Sequence, residues 1–357
     1  MTILRNAVAR LGAPMVTFGP ALAIVLALIA LVLVSLGKDP VAALERFFNG
    51  ALGRDNGRAD VIMTALPMLL CASGLLLTYT AGLWNIGVEG QVLMGAVFAT
   101  IIAREVPADA TSPFIIPAEL GLAMLGGALW AGLAGILKIR GNVNEIFGGV
   151  ALNFIAINIL LSLVNGPWKV GSYPQTAPFT PPALLPRLPD VRLSPLAIVI
   201  AVVAFIMVFM VLRGTRWGLQ LRAMGKSEKS AFLLGVRTSR NILLAMMLCG
   251  ALAGLAGAIR VLFMRGRLVP GISGGIGFMG ILIVLLVNVR PGWVPLVTLL
   301  LAIVPVGSLE LASAMEDSVK LDVSLGNVFQ SALVLAVLLA SGVRARLASR
   351  RAQTGAG

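Results

Sequence analysis

The chain has 357 residues, of which 58% are hydrophobic and only 12% charged. A water-soluble domain carries roughly 25% charged residues, so this composition leaves too little polar surface to face water and points to a membrane-embedded bundle. The sequence has no histidine and two cysteines, Cys71 and Cys249, each in an apolar run. Imidazole catalysis, Ser-His triads, imidazole metal sites, a disulfide framework and a CxxC metal site are thereby excluded, and no cofactor or metal is expected. The 28 Lys and Arg against 15 Asp and Glu give +13. In a membrane chain that excess speaks to orientation, and it does not call for a nucleic-acid partner.

A helix crossing about 30 Å of hydrocarbon needs about 20 mostly apolar residues. In chain order the sequence predicts long spans at 17–36, 61–80, 119–137, 149–165, 195–212, 241–263, 293–311 and 326–343. Two shorter or Gly-interrupted segments, 91–103 and 276–289, bring the expectation to about ten transmembrane helices with Gly-rich broken or re-entrant segments. The first span follows Arg5 and Arg10, but its apolar stretch is too long for a signal-peptide core and no small-residue cleavage site follows, so it is read as retained. Basic residues concentrate in 213–240 and in the 344–357 tail. Lys and Arg mark the cytoplasmic side, which places both termini there. The whole chain reads as one membrane domain with a core over 17–343 and outer loops at 37–60 and 166–194. The second loop holds seven prolines between Pro167 and Pro189 and cannot be helical throughout, so it reads as an ordered loop or cap.

Four segments carry polar or irregular chemistry. Gly82 to Gln91 breaks regular helix at Gly82, Gly87 and Gly90, and brings Asn85, Glu89 and Gln91 to membrane depth or its edge. Irregular backbone there must be buried in protein or line a watery cavity, and an ionisable residue is a pathway or gate candidate. A helix-capping role for Glu89 is the other reading. In the second segment Asn144 is placed as an N-cap with Glu145 in the first turn, and Asn153 and Asn158 fall inside the apolar run. Each buried amide serves as interhelical glue or contacts a ligand, and Phe154 beside Asn153 adds a stacking surface suited to a sugar or base.

The third is the basic loop from Arg213 to Arg240, which reads from 228 onward as a short amphipathic helix along the membrane face. It can serve as a topology signal, as an attachment to anionic lipid, or as a docking element in which Ser230, Ala231 and Gly235 let another surface approach. The fourth, Val269 to Gly280, is glycine-rich enough for a broken helix pair of the kind that carries transporter sites and gates. Upstream of it Gly250, Gly254 and Ala258 form a small-residue face for close helix packing. No Walker A pattern (GxxxxGK[ST]) occurs, so the chain has no P-loop of its own with which to hydrolyse ATP.

Trp84 to Ala96 resembles the F-N-I-G-V-E-G-Q-x-x-M-G-A signature of ABC-importer permeases of the ribose/branched-chain amino acid class, nearest to its nucleoside and simple-sugar subgroup. Asn144 to Ala156 resembles that family's N-E-V-I…M-L-N-Y-I-A stretch. Gly218 to Val236 resembles its cytoplasmic coupling helix, and Gly275 to Ile281 its G-Y-G-F-D-G-I run. Ser227-Glu228 stands where the family has Asn-Pro, Ser230 where it has the first Ala of an Ala pair, and Met279 where it has Asp.

The resemblance implies a multi-pass permease subunit in the cytoplasmic membrane of a bacterium. A separate ATP-binding-cassette ATPase subunit would drive it between outward and inward access, and an extracytoplasmic solute-binding protein would feed it nucleosides or simple sugars. The long 37–60 and 166–194 loops look like the larger of two paired permeases, which implies a heterodimer. The residues expected along the pathway or its gate are Asn85, Glu89, Gln91, Asn153, Phe154 and Phe278. Those expected to couple to the ATPase are Arg222, Gly225, Ser227, Glu228, Ser230, Ala231 and Gly235. An ion-coupled secondary transporter is the rival reading. It would need an ion- or proton-binding constellation at mid-membrane, where Glu89 is the one plausible buried carboxylate. An enzyme would need paired acid and base groups, which the sequence does not offer.

Overall fold

The computed structural model describes residues 40–315. The expected spans 17–36 and 326–343, the C-terminal tail and both termini lie outside the described residues. The other eight expected segments each coincide with a helix, and every regular element among the described residues is helical. Six helices there are long and apolar enough to cross a membrane: Asp55–Thr80, Ile115–Gly141, Glu145–Asn165, Pro195–Gly214, Thr238–Arg265 and Pro291–Leu309. Val88–Ala103 and Ile276–Leu286 are apolar but shorter. At 1.5 Å per residue they reach only about 24 and 17 Å, less than a bilayer core.

The described chain falls into two compact units. The smaller takes in 40–61, 286–288 and 299–315. It opens with α1, Pro40–Phe48, which passes through a wide turn at Asn49–Gly53 into the start of α2, Asp55–Thr80. Segment 37–60, expected to be a loop, is therefore largely helical over its described part. The glycines that look like loop punctuation instead allow tight packing: a Cβ on Gly57 would collide with the Gly50 carbonyl. Phe47 is buried in this unit, against Gly307 of α11, Val294–Met315.

The larger unit, 62–285 with 289–298, holds most of α2 and the helices α3 (Val88–Ala103), α4 (Ile115–Gly141), α5 (Glu145–Asn165), α6 (Pro195–Gly214), α7 (Arg216–Lys226), α8 (Glu228–Leu233), α9 (Thr238–Ile259, continued as a π-helical turn over Arg260–Arg265) and α10 (Ile276–Leu286). Short α3 is buried along almost its whole length. It is enclosed by α4, α5 and α9. Small residues permit this close packing. A Cβ on Gly95 of α3 would run into Gly254 of α9, and one on Gly250 into the Gly127 carbonyl of α4. The small face read at Gly250 and Gly254 is thus the seam on which α3 and α4 meet α9, with Gly257 in the place of closest approach to Val92.

At one end of this unit the Pro-rich segment 166–194 runs extended, with a single 3₁₀ turn at Pro181–Ala183. It lies against the chain that follows α9 through main-chain hydrogen bonds. Thr176 N–H donates to Leu268 O (3.1 Å), Phe179 N–H to Gly266 O (2.8 Å) and Leu185 N–H to Leu262 O (3.3 Å). It is an ordered cap, as proline content and length led one to expect. Arg187 ties it down by donating to Phe263 O (2.8 Å) while stacking on the Phe263 ring. A cleft of about 450 Å³ opens between cap and helix end, with Arg187, Arg265 and Arg267 on its wall.

Candidate functional site

The first glycine-rich break, 81–87, separates α2 from α3. Gly82 takes a positive φ of 77°, which a side chain would strain, so the chain can turn abruptly there. Within the break the Asn85 and Gln91 side chains pair reciprocally. Asn85 Nδ2 donates to Gln91 Oε1 (3.1 Å), and Gln91 Nε2 donates to Asn85 Oδ1 (3.0 Å). Asn85 also reaches Cys249 Sγ of α9 at 3.2 Å. Asn153 of α5 closes the other side, accepting from Gly90 N–H (2.7 Å) and donating to Ile86 O (3.0 Å). All three amides are buried, and Asn153 satisfies main-chain groups that the broken helix leaves open, while Asn85 and Gln91 satisfy each other.

Glu89 is 5% exposed. It sits in the first turn of α3, yet its carboxylate caps a different helix. Oε2 accepts from the N–H of Gly277 at the start of α10 (2.9 Å), and Oε1 accepts from the Ser273 hydroxyl just before it. The capping role considered for Glu89 therefore holds, with its target 188 residues away in sequence. The two glycine-rich breaks meet here. A Cβ on Gly277 would stand 2.8 Å from the Glu89 backbone. The second break, 271–275, turns through positive φ at Gly271, Gly274 and Gly275. It is also held by Arg260, whose Nε donates to Ile272 O (2.9 Å).

Of the six expected pathway or gate residues, the structure thus gathers Asn85, Glu89, Gln91 and Asn153 into one buried knot. Phe154 and Phe278 point out of it, being 62% and 47% exposed. Sequence reading missed Trp130 of α4. Its indole nitrogen is buried beside Gly90, with no hydrogen-bond partner among the described residues. Forty residues of separation and an apolar setting gave no sequence signal for it.

Asn144 caps α5 as expected, accepting from Ile146 N–H (2.8 Å), and Glu145 pairs with Lys138 of α4 (2.8 Å). Near this end lies the basic segment. It forms two helices where one was expected: α7, capped by Thr215 (Gly218 N–H to Oγ1, 3.0 Å), and six-residue α8, capped by Ser227 (Ser230 N–H to Oγ, 3.2 Å). Among the expected coupling residues Arg222, Gly225, Ser227, Glu228, Ser230 and Gly235 are exposed, whereas Ala231 is buried within the chain. The exposed apolar residues of the segment are Leu219 on α7 and the run Phe232, Leu233 and Leu234, the last 81% exposed. They escaped sequence reading because apolar residues in an amphipathic helix are expected to face inward. Gly225 packs on the first break: a Cβ there would collide with the Thr80 carbonyl, and the Gly82 nitrogen is close by. Asn241 of α9 braces α7 from behind, accepting from Trp217 Nε1 (3.2 Å) and donating to Gln220 Oε1 (3.1 Å).

The described residues form a helical bundle of membrane-spanning character with buried broken helices and an exposed basic arm, and similarity to known proteins gives its class. Residues 57–339 match the family model described as branched-chain amino acid transport system / permease component. The chain is 32% identical over 91% of its length to the glucose ABC transporter permease protein TsgB13 of Haloferax volcanii, covering 86% of that protein. It is 30% identical over 82% of its length to the guanosine ABC transporter permease protein NupP of Bacillus subtilis, covering 85% of it. It is also 26% identical over 78% of its length to the nucleoside ABC transporter permease protein NupB of Lactococcus lactis subsp. cremoris, covering 79%. The chain belongs to this permease family. It is the multi-pass membrane permease subunit of an ABC importer, a transport subunit and not an enzyme, and it works with an ATPase partner.

Proposed function

We propose that this subunit, in the cytoplasmic membrane of a bacterium, imports nucleosides, with simple sugars as the alternative cargo. The full chain would make about ten transmembrane passes as a single permease domain with both termini in the cytoplasm. A non-identical second permease would complete the pore, and a solute-binding protein would dock on the outer side, where segment 166–194 caps the bundle. Support for the cargo comes from relatives whose names specify guanosine, nucleosides and glucose. A rival ion-driven mechanism finds no support at Glu89, whose carboxylate is occupied in capping α10.

The observation that carries the mechanism is the seating of Gly225 on Thr80 and Gly82. Arg222, Gly225, Ser227, Glu228, Ser230, Ala231 and Gly235 belong to the arm that the ATPase moves, with Ala231 anchoring α8 to the chain. Phe232, Leu233 and Leu234 supply its apolar contact, and neighbouring basic residues attract acidic lipid. Motion of the arm reaches the first break directly and passes to the second through Glu89. Asn85, Glu89, Gln91 and Asn153 act as latches of the gate, while Phe154 and Phe278 face the pathway.

The test is reconstitution. With its ATPase, partner permease and binding protein, the assembly is expected to show solute-stimulated ATP hydrolysis and uptake, whereas the lone chain in vesicles carries nothing. Solute accumulation by the lone chain under an ion gradient would overturn the reading. Thermal stabilisation of the cognate binding protein by guanosine, by other nucleosides or by glucose identifies the cargo.

A further inference from the structure

Helices α5 and α6 present the same low fraction of buried residues, 28% over their most apolar stretches. Their exposed faces nevertheless differ. Between its ends α6 exposes only Val199, Val202, Val203, Ile206, Met207 and Met210, a surface made for lipid. On α5 the exposed residues Phe147, Ala151, Phe154, Asn158, Ser162 and Asn165 fall within an arc of about 80° at 3.6 residues per turn. Exposed Ile155 and Ile157 border this arc on either side.

Asn158 decides what the stripe faces. It lies about 20 Å along a helix about 32 Å long, well inside the apolar stretch. Its Nδ2 donates to Phe154 O of its own helix (2.8 Å), which leaves the amide oxygen and one N–H of Nδ2 with no partner among the described residues. Asn165, at the end of α5, is tied back to Leu161 O in the same way (2.8 Å). An unsatisfied amide costs free energy in hydrocarbon, which is why polar side chains of membrane helices face a neighbour or a watery cavity.

We infer that this stripe of α5 is the solute-facing wall of the translocation pathway. The Phe147 and Phe154 rings would offer faces to a planar base, and Asn158, Ser162 and Asn165 would exchange hydrogen bonds with base edges or sugar hydroxyls. The inference rests on the importer reading above and adds the wall residues. The knot of Asn153 lies on the opposite, buried side of the same helix, so one helix carries both latch and wall.

Cysteine scanning tests it in the assembled transporter, with ATPase and binding protein, in membrane vesicles. Native Cys71 and Cys249 are both buried, so background reaction is low. Phe154→Cys, Asn158→Cys and Ser162→Cys are treated with a water-soluble charged methanethiosulfonate, with Val202→Cys and Met207→Cys as lipid-facing references. The stripe variants are expected to react much faster than the references. Reaction should slow in the presence of whichever of guanosine or glucose the unmodified transporter imports. That uptake is measured alongside, so a mistaken cargo is recognised separately from a mistaken wall.

Reaction as slow as at the references places the stripe in lipid and overturns the inference. So does fast reaction that neither solute slows. A second variant, Asn158→Leu, suits lipid; there it leaves uptake unchanged. On a pathway wall it lowers uptake about threefold to tenfold at equal complex yield, as loss of one solute hydrogen bond does.

Discussion

The two glycine-rich breaks meet at one point but are held by different chemistry. The first, 81–87, is secured by neutral amides: Asn85 and Gln91 pair with each other, and Asn153 reaches in from α5. The second, 271–275, is secured by charged groups: the Glu89 carboxylate caps its helix and the Arg260 guanidinium holds its carbonyl. Amide pairs tolerate rearrangement at small cost, since each net interhelical hydrogen bond is worth about 0.6 kcal/mol in a membrane protein. A buried carboxylate cannot be left without donors so cheaply. The first break, on which Gly225 of the basic segment packs, is therefore the better suited of the two to flex.

The largest expected effect comes from removing the shared residue. Glu89→Ala leaves the Ser273 hydroxyl and the Gly277 N–H without their acceptor, at about 1–3 kcal/mol each. Solute uptake should collapse while the complex still assembles, and Glu89→Gln, which keeps an acceptor, should fall between. Normal uptake in Glu89→Ala would remove this carboxylate from the mechanism. Next in size is Gly225→Val, whose added carbons collide with the Thr80 carbonyl. ATP hydrolysis by the complex should persist while uptake fails; an unchanged ratio of the two would separate the arm from the first break.

The amide pair gives a smaller and sharper test. Asn85→Ala and Gln91→Ala each orphan the other, so the double variant should cost less than the sum of the singles by at least about 0.5 kcal/mol in thermal unfolding of the complex. Strict additivity would mean the pair does not act as a unit. Smallest is Gly271→Ala in the second break. Its Cβ meets open space and only the positive φ of 69° opposes it, so a loss of about 1–2 kcal/mol with uptake retained is expected. If Gly271→Ala abolished uptake, the second break would be a moving part in its own right.

Much of this architecture is legible in the residues. Apolar run lengths place eight described helices, glycine clusters mark both breaks, and Asn144, with the acid that follows it, announces the start of α5. The proline-rich cap is equally readable, because proline forbids continuous helix. What escapes is whatever depends on distant partners. Glu89 reads in sequence as a helix cap with no target named, and only the fold shows that the donor it accepts from lies 188 residues on. Segment 37–60 looks like a loop because its glycines signal turns locally, whereas in the fold Gly57 packs against the carbonyl of Gly50. Trp130 and the exposed Phe232-Leu233-Leu234 run lack any local pattern that would distinguish them from ordinary apolar residues.

The cap over the helix ends is fastened by main-chain donors at Thr176, Phe179 and Leu185 and by only a few side chains, those of Thr176, Thr180, Gln175 and Arg187. Peptide groups are common to nearly every residue type, so most side chains on its outward surface can be rewritten without loosening that hold. A lid attached in this way can be reshaped on its outer surface while the helix ends beneath it stay as they are.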